Sequence, residues 1–312
     1  MDYSKILMDK YLLAFDDDPN MESSRVEKRF NHSVSVVNAL KQINDFYKLG
    51  LDEEKLEKIG YFHDYAKFCS IEDYKRVLIK FDAKSDEHFL DEASSIHHGV
   101  LGYLIVRDEL GIKDESILNA IKYHTIASNN MDIYAEVLYC ADFTESLRNG
   151  EVFDVARRYL YQSNELNNLY KTIAFIIRSK IKKCRSNGYP ILKETLDAYE
   201  KYKKYIEEPI EKVKAIIRAI DHNLVEDIRV YDIRNKNPLA DFSIVASVGN
   251  NRSMEACISY VRAEFDIRNA ERGEFWTLID LNDVILHIFT KEQRIEYNLD
   301  NLLGEEMNLE EV

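Results

Sequence analysis

Hydrophobic positions recur at helical spacing through the first two-thirds of the chain. Val36, Leu40, Ile43 and Tyr47 fall three or four residues apart, and Leu101 and Ile105 do the same before a slip at Ile112. The stretches Leu51 to Phe62, Glu115 to Tyr123 and Ile133 to Leu147 read as further helices. Gly50, Gly111 and Gly150 stand where helices would end, and Gly188-Tyr189-Pro190 marks a turn before a last helix from Leu192 to Tyr205.

The texture then changes. A helix from Ile210 to about Asn223 leads into short β-rich runs at Ile228 to Ile233, Phe242 to Val248, Phe275 to Leu281 and Val284 to Phe289. A helix from Asn251 to Phe265 separates the second and third runs, with Asn250 or Asn251 as its cap. Thr290 with Gln293 has the form of a capping box opening a final helix to about Leu299, and Glu305 to Val312 reads as a frayed acidic tail. The expected architecture is an all-helical bundle over residues 1–205, a boundary in Lys203 to Glu208, and a small α/β domain over 209–304.

Composition narrows this picture. With 312 residues the chain is long enough for two domains, and its 10 Gly and 4 Pro are too few for an all-β fold rich in turns. The four cysteines are scattered without a CxxC pair, as expected of free thiols in a reducing cytoplasm. No apolar run is long enough to cross a membrane, and the start lacks the plan of a cleavable signal, so the expectation is a soluble cytoplasmic protein. Residues from Glu207 on hold 22 acidic and 12 basic side chains, while the first 206 hold 34 and 30. Neither part has the broad basic field of a nucleic-acid binder, so direct nucleic-acid binding is not expected.

Candidate chemistry lies in the helical part. His32, the pair His63-Asp64, His98, His124 and Asp142 follow one another, each within or at the end of a helical run. Any one histidine alone is better read as a half-buried core residue. Asp64 between Phe62 and Tyr65, and Asp142 in the run VLYCADF, would be costly to bury without a cation or several donors. Two such acids with four spaced histidines favour a metal site. Mixed imidazole and carboxylate donors suit iron, manganese, cobalt or zinc better than magnesium. Such an ion acidifies water and neutralises phosphate oxygens, as phosphoester cleavage requires. Helix neighbours point about 100° apart, so His97 is expected at the surface or behind the site, and His88 in solvent.

The order H…HD…H…H…D resembles the HD-domain metal-dependent phosphohydrolases. The motifs R-F-x-H-S (Arg29 to Ser33), H-D-Y-A-K (His63 to Lys67), H-G-x-x-G (His98 to Gly102), Y-H-T (Tyr123 to Thr125) and A-D-x-x-E-x-x-R (Ala141 to Arg148) resemble the YqeK family in particular. That family hydrolyses diadenosine tetraphosphate symmetrically to two ADP. The resemblance implies that His32, His63, Asp64 and Asp142 hold the metal, taken in the family to be iron. It places His98 and His124 on the substrate phosphates or a second ion. It puts Arg29, Thr125 and Arg148 against the nucleotide, and makes Lys67 a catalytic or site-bracing cation. Where the family often has Gly after its Y-H-T-x step, this chain has Ala127-Ser128. Another nucleotide, a guanosine alarmone or a cyclic dinucleotide, is the competing substrate class, with the second domain then a dimerisation or regulatory module.

Residues from about Ile210 to Gly304 resemble the ribosomal silencing factor family, RsfS or Iojap. The likeness rests on Glu226 to Ile228, Asp241 to Asn250, Trp276 to Phe289 and Arg294 to Leu302. It implies a nucleotidyltransferase-related fold that binds the large ribosomal subunit through its protein numbered fourteen and blocks subunit joining. Ser247-Val248-Gly249-Asn250 lacks a following acidic pair, so this domain is not expected to catalyse nucleotidyl transfer. Trp276, the only tryptophan, is a candidate partner anchor or else a strand-end residue packed on the helix from Asn251. Asp280, Asp283 and His287 read as turn and packing residues rather than a second metal site. Both resemblances are compatible with a homo-oligomer.

Overall fold

The structure is a computed structural model that describes residues 2–17, 22–206, 209–221, 224–234 and 240–308. The end of the expected boundary stretch at Glu207-Glu208, the expected helix end at Asn223 and the tail residues 309–312 lie outside the described residues. The chain forms two compact units, Met1–Ile181 with Ile191–Ile206, and Lys182–Pro190 with Glu207–Val312.

The first unit is helical: α1 (Tyr3–Asp17), α2 (Ser23–Tyr47), α3 (Glu53–Phe62), α4 (Ile71–Lys80), α5 (Ser94–Val100), α6 (Gly102–Leu110), α7 (Glu115–Tyr123), α8 (Ile133–Thr144), α9 (Glu151–Leu160), α10 (Leu166–Ser186) and α11 (Lys193–Tyr202). The apolar stripe of α2, Val36, Leu40, Ile43 and Tyr47, is buried with Leu56 and Ile59 of α3 and Leu138 of α8. Extending that stripe one turn toward the N-terminus lands on His32, so the packing that seats α2 also aims this histidine inward. Asp52, Asp114 and Asp132 cap α3, α7 and α8 by accepting backbone N–H groups.

Two helix ends differ from expectation. The α8 helix stops at Thr144 rather than Leu147, and Gly150, at φ +122°, opens α9 instead of closing α8. Arg157 of α9 explains the early stop: its guanidinium donates to the carbonyls of Thr144, Glu145 and Arg148 at 2.8, 2.7 and 2.6 Å. These carbonyls therefore need no further helical turn to satisfy them.

The second unit contains α12 (Pro209–Ile220), β1 (Val225–Asp232), β2 (Phe242–Val248), α13 (Asn251–Glu264), β3 (Asn269–Arg272), β4 (Trp276–Asp280), β5 (Val284–Thr290), α14 (Lys291–Tyr297) and α15 (Leu299–Leu303). Its sheet runs β1-β2-β5-β4-β3, with β2 and β5 parallel and the other neighbours antiparallel. Phe242, Ile244, Ala246 and Val248 on β2, with Val284, Leu286 and Ile288 on β5, pack with buried residues of α12 and α13. The alternate residues Val245, Ile285 and Phe289 form the opposite layer, where Trp276, Leu278, Leu299 and Leu303 pack. Asn250 caps α13 by accepting from the Ser253 N–H at 3.0 Å.

Three expectations fail here. Strand β3 was not anticipated, because Asn269 to Arg272 is polar and mostly exposed on the sheet edge. The Thr290–Gln293 capping box does not form: the Thr290 N–H donates to Phe275 O, and Gln293 bonds Glu296 instead. The tail is not frayed throughout, since Glu306 bridges Tyr231 and the Met307 N–H donates to Val230 O at 2.8 Å.

Candidate active site

Five separate segments of the first unit bring ten of the singled-out residues together. His63 and Asp64 lie just beyond α3, in tight turns through residue 68 rather than inside a helix. That departure lets two adjacent side chains face one site, which a helix's angular step would oppose. Asp142 comes from α8, His98 from α5 and His124 from the end of α7. Gly99 makes this approach possible: a Cβ there would sit 2.9 Å from Thr125 Oγ1 and 3.1 Å from His124 Cε1. Gly102 admits Ala66 in the same way, at 3.0 Å. The two glycines of the H-G-x-x-G motif are thus needed for close packing.

His32 Nε2 lies 3.0 Å from Asp142 Oδ1, 3.3 Å from His63 Nε2 and 3.9 Å from Asp64 Oδ2. His63 Nε2 is 3.8 Å from Asp64 Oδ2 and 4.0 Å from Asp142 Oδ1. Ligands held about 2.0–2.2 Å from one ion stand roughly 3–3.5 Å apart, so His32, His63 and Asp142 form one group near the spacing a transition ion asks for, with Asp64 Oδ2 3.8–3.9 Å from both imidazoles. His63, Asp64 and His124 form a second convergent group. His98 Nε2 joins it, 3.0 Å from Asp64 Oδ1 and 3.2 Å from His124 Nε2.

The cations surround these carboxylates. Arg29 Nη1 is 3.2 Å from Asp64 Oδ2, and Arg148 Nη2 is 2.9 Å from Asp142 Oδ1, so Arg148 is not merely a solvated helix-end cation. Lys67 Nζ lies 3.0 Å from His98 Nε2 and 3.8 Å from Asp64 Oδ1. The Arg29 and Arg148 side chains remain 36% and 35% exposed. Thr125 adjoins His124, and its buried hydroxyl has no hydrogen-bond partner among the described residues.

Burial drives the His63 imidazole down to about 3 and the His98 imidazole to about 4, leaving both neutral and able to offer a lone pair. Burial opposes the charge on His32 as well, yet its bonds to Asp142 and Glu145 prevail and lift it to about 9. Burial opposes the charge on Asp64, but the hydrogen bonds it accepts from His124 and His98 help hold its carboxyl well below the usual range. Asp142 is likewise held low, with the His32 bond and Arg148 overcoming burial. A positive ion would be a further partner for these ionised carboxylates.

Of the two places expected for His97, the surface is excluded: it is buried, its Nε2–H donates to Glu92 O at 3.1 Å and its ring meets Tyr74 edge-on. Glu145 was visible only as the acid of the A-D-x-x-E-x-x-R motif, yet its carboxylate reaches His32 Nδ1 at 3.1 Å. The backbone after His124 is braced by later helices. Lys180 of α10 donates to Thr125 O, and Thr195 and Lys201 of α11 donate to Ile126 O and Asn129 O.

The HD domain family model matches residues 29–147, and that of the ribosomal silencing factor during starvation, RsfS, matches 206–312. The symmetrical bis(5'-nucleosyl)-tetraphosphatase of Bacillus subtilis is 35% identical over 132 residues, 42% of this chain and 69% of that protein. The chain belongs to the HD-domain symmetrical bis(5'-nucleosyl)-tetraphosphatase family. It is an HD phosphohydrolase fused to a domain of the RsfS family. For that second domain, the Bacillus subtilis ribosomal silencing factor RsfS is 26% identical over 100 residues, 30% of this chain and 85% of that protein. Among solved structures, an HD superfamily hydrolase from Clostridium acetobutylicum, described as involved in NAD metabolism, superposes with a TM-score of 0.53. It is 25% identical and covers 64% of this chain and 96% of its own. The HD hydrolases are metal-dependent, and the described residues include no helix long and apolar enough to cross a membrane.

In the RsfS domain Trp276 does not pack on α13, as one reading had it. Its neighbour Thr277 contacts Met254 of that helix, so Trp276 faces the other side of the sheet. There it stacks on Phe289 at 5.2 Å, packs against half-exposed Tyr297 and donates its indole N–H to His287 Nδ1 at 3.3 Å. Asp280 pairs with Arg268 at 2.6 Å, as a structural turn residue would.

Proposed function

We propose that residues 1–205 cleave diadenosine tetraphosphate symmetrically, with His32, His63, Asp64 and Asp142 holding an iron ion. The observation that carries this reading is the convergence of those four side chains beneath a rim of Arg29, Lys67 and Arg148. When bound, the ion would supply Lewis acidity toward a phosphate oxygen and a more acidic water. Hydrolysis of the central P–O–P bridge by one water gives two ADP. The leaving group is itself a phosphate whose last pKa is about 6, so it needs charge neutralisation more than proton donation. Arg29 and Arg148 provide that charge from their part-exposed side chains. Lys67, His98 and His124 orient the phosphates from within, and Thr125 offers its unpartnered hydroxyl to the nucleotide.

Residues 209–304 bind the large ribosomal subunit through the protein numbered fourteen and block subunit joining, with Trp276 in the contact. The support is the RsfS family match together with the exposed apolar side chains Phe275, Ile295, Tyr297 and Leu302 at the ends of β4 and on α14 and α15. The hydrolase reading is tested by incubating the purified full chain with diadenosine tetraphosphate, NAD, a guanosine alarmone and a cyclic dinucleotide, with iron, manganese or chelator. Two ADP per tetraphosphate, lost with chelator, is the expected result. AMP plus ATP, or an intact tetraphosphate, would overturn the symmetric assignment.

A further inference from the structure

We infer that Glu145 is a positioning residue that fixes His32 as a metal donor; this rests on the ligand set proposed above. Three site histidines turn Nε2 inward, and each is held through Nδ1, but by different means. His63 Nδ1–H donates to Gly60 O at 2.8 Å, and His124 Nδ1–H donates to Ile121 O at 2.7 Å, each a carbonyl three residues earlier. Among the described residues, His32 has no such backbone partner. Its Nδ1 is 3.1 Å from Glu145 Oε1, a residue 113 positions away.

Glu145 is itself held on both oxygens. Oε1 takes the imidazole N–H while Oε2 accepts the Leu147 N–H at 2.6 Å. The turn that carries it is gripped by Arg157, which donates to the carbonyls of Thr144, Glu145 and Arg148. The side chain is almost fully buried, at 1% exposure, so the bond does not compete with water. A carboxylate there selects the Nδ1–H tautomer, leaves the Nε2 lone pair facing Asp142 and His63, and makes the imidazole a stronger donor. Glu145 touches His32 and, at 3.6 Å, the Arg148 Nε, but none of the reacting atoms, so its effect on the metal runs through the His32 ring.

The test is cobalt(II) affinity of the full chain, read by the ion's visible absorption, for Glu145→Gln, Glu145→Ala and His63→Ala. Far-ultraviolet circular dichroism checks the fold of each. Glu145→Gln keeps the size and one acceptor oxygen, and is expected to weaken binding by about 10-fold. Glu145→Ala is expected to weaken it by up to about 100-fold. A purely structural role would lower thermal stability while leaving cobalt affinity in place, so unchanged affinity in both variants overturns the inference. If Glu145→Ala fails to fold, the isosteric Gln variant decides alone. His63→Ala distinguishes the two levels: loss of cobalt there with normal binding in the Glu145 variants sinks only the role of Glu145. Undiminished cobalt in His63→Ala sinks the ligand set.

Discussion

His287 is 7% exposed and sits in the middle of the sheet, accepting the indole N–H of Trp276 on Nδ1. Burial pushes its imidazole down to about 4. The unfolded chain protonates near 6.5, so between these values the unfolded state binds more protons than the folded one. The contribution to stability is therefore full above pH 6.5 and is lost as pH falls toward 4. From pH 6.5 to 5, above most carboxylate titration, the loss amounts to about 2 kcal/mol. Because Trp276 is the only tryptophan, its fluorescence follows the second unit alone during denaturant titrations. Stability read this way should fall across that window, and His287→Gln, which cannot titrate, should flatten the slope. An unchanged slope in the variant would assign the effect elsewhere.

At the level of elements, the hydrolase site depends on how closely α5 meets the end of α7. Gly99→Ala would drive a methyl into Thr125 Oγ1 and His124 Cε1, so that a helix or the His124 turn must shift. The expected cost is about 1–3 kcal/mol of stability, with a loss of activity larger than that cost explains, since His124 is what moves. Thermal unfolding measured beside the rate of tetraphosphate cleavage checks both. The helix packing was legible in the sequence: the stripe through Val36, Leu40 and Ile43 points back to His32. What was not legible depended on partners distant in sequence. Strand β3 has no apolar alternation and exists because β4 offers it a ladder. The end of α8 is set by Arg157, 13 residues beyond Thr144. The capping box at Thr290 had the right residues, but the N–H it needed was already given to Phe275 O. Glu145 looked like an ordinary motif acid until the fold brought it to an imidazole 113 residues upstream.

For the whole molecule, charge is distributed unevenly: 22 acidic against 12 basic side chains from Glu207 on, against 34 and 30 before it. An acidic domain attracted to a basic ribosomal protein should bind more weakly as salt rises. In sedimentation of the full chain with large subunits, the bound fraction is expected to fall between about 50 and 300 mM salt. Trp276→Ala should reduce binding without changing hydrolysis, because every residue assigned to the hydrolase site lies at or before Arg148. Failure of the folded chain to travel with large subunits at low salt would overturn the ribosomal reading. The bracing of the turn after His124 also imposes an order on the making of the protein. All the proposed metal ligands have been synthesised once Asp142 is added, but the donors to Thr125, Ile126 and Asn129 come from Lys180, Thr195 and Lys201. At about 5–20 residues per second, the stretch from Arg148 to Lys201 takes roughly 3–10 s to translate. For that interval the nascent chain owns every donor atom of its site and lacks the struts that hold the His124 turn in place. The growing polypeptide thus acquires its chemistry in two instalments, ligands first and rigidity afterwards.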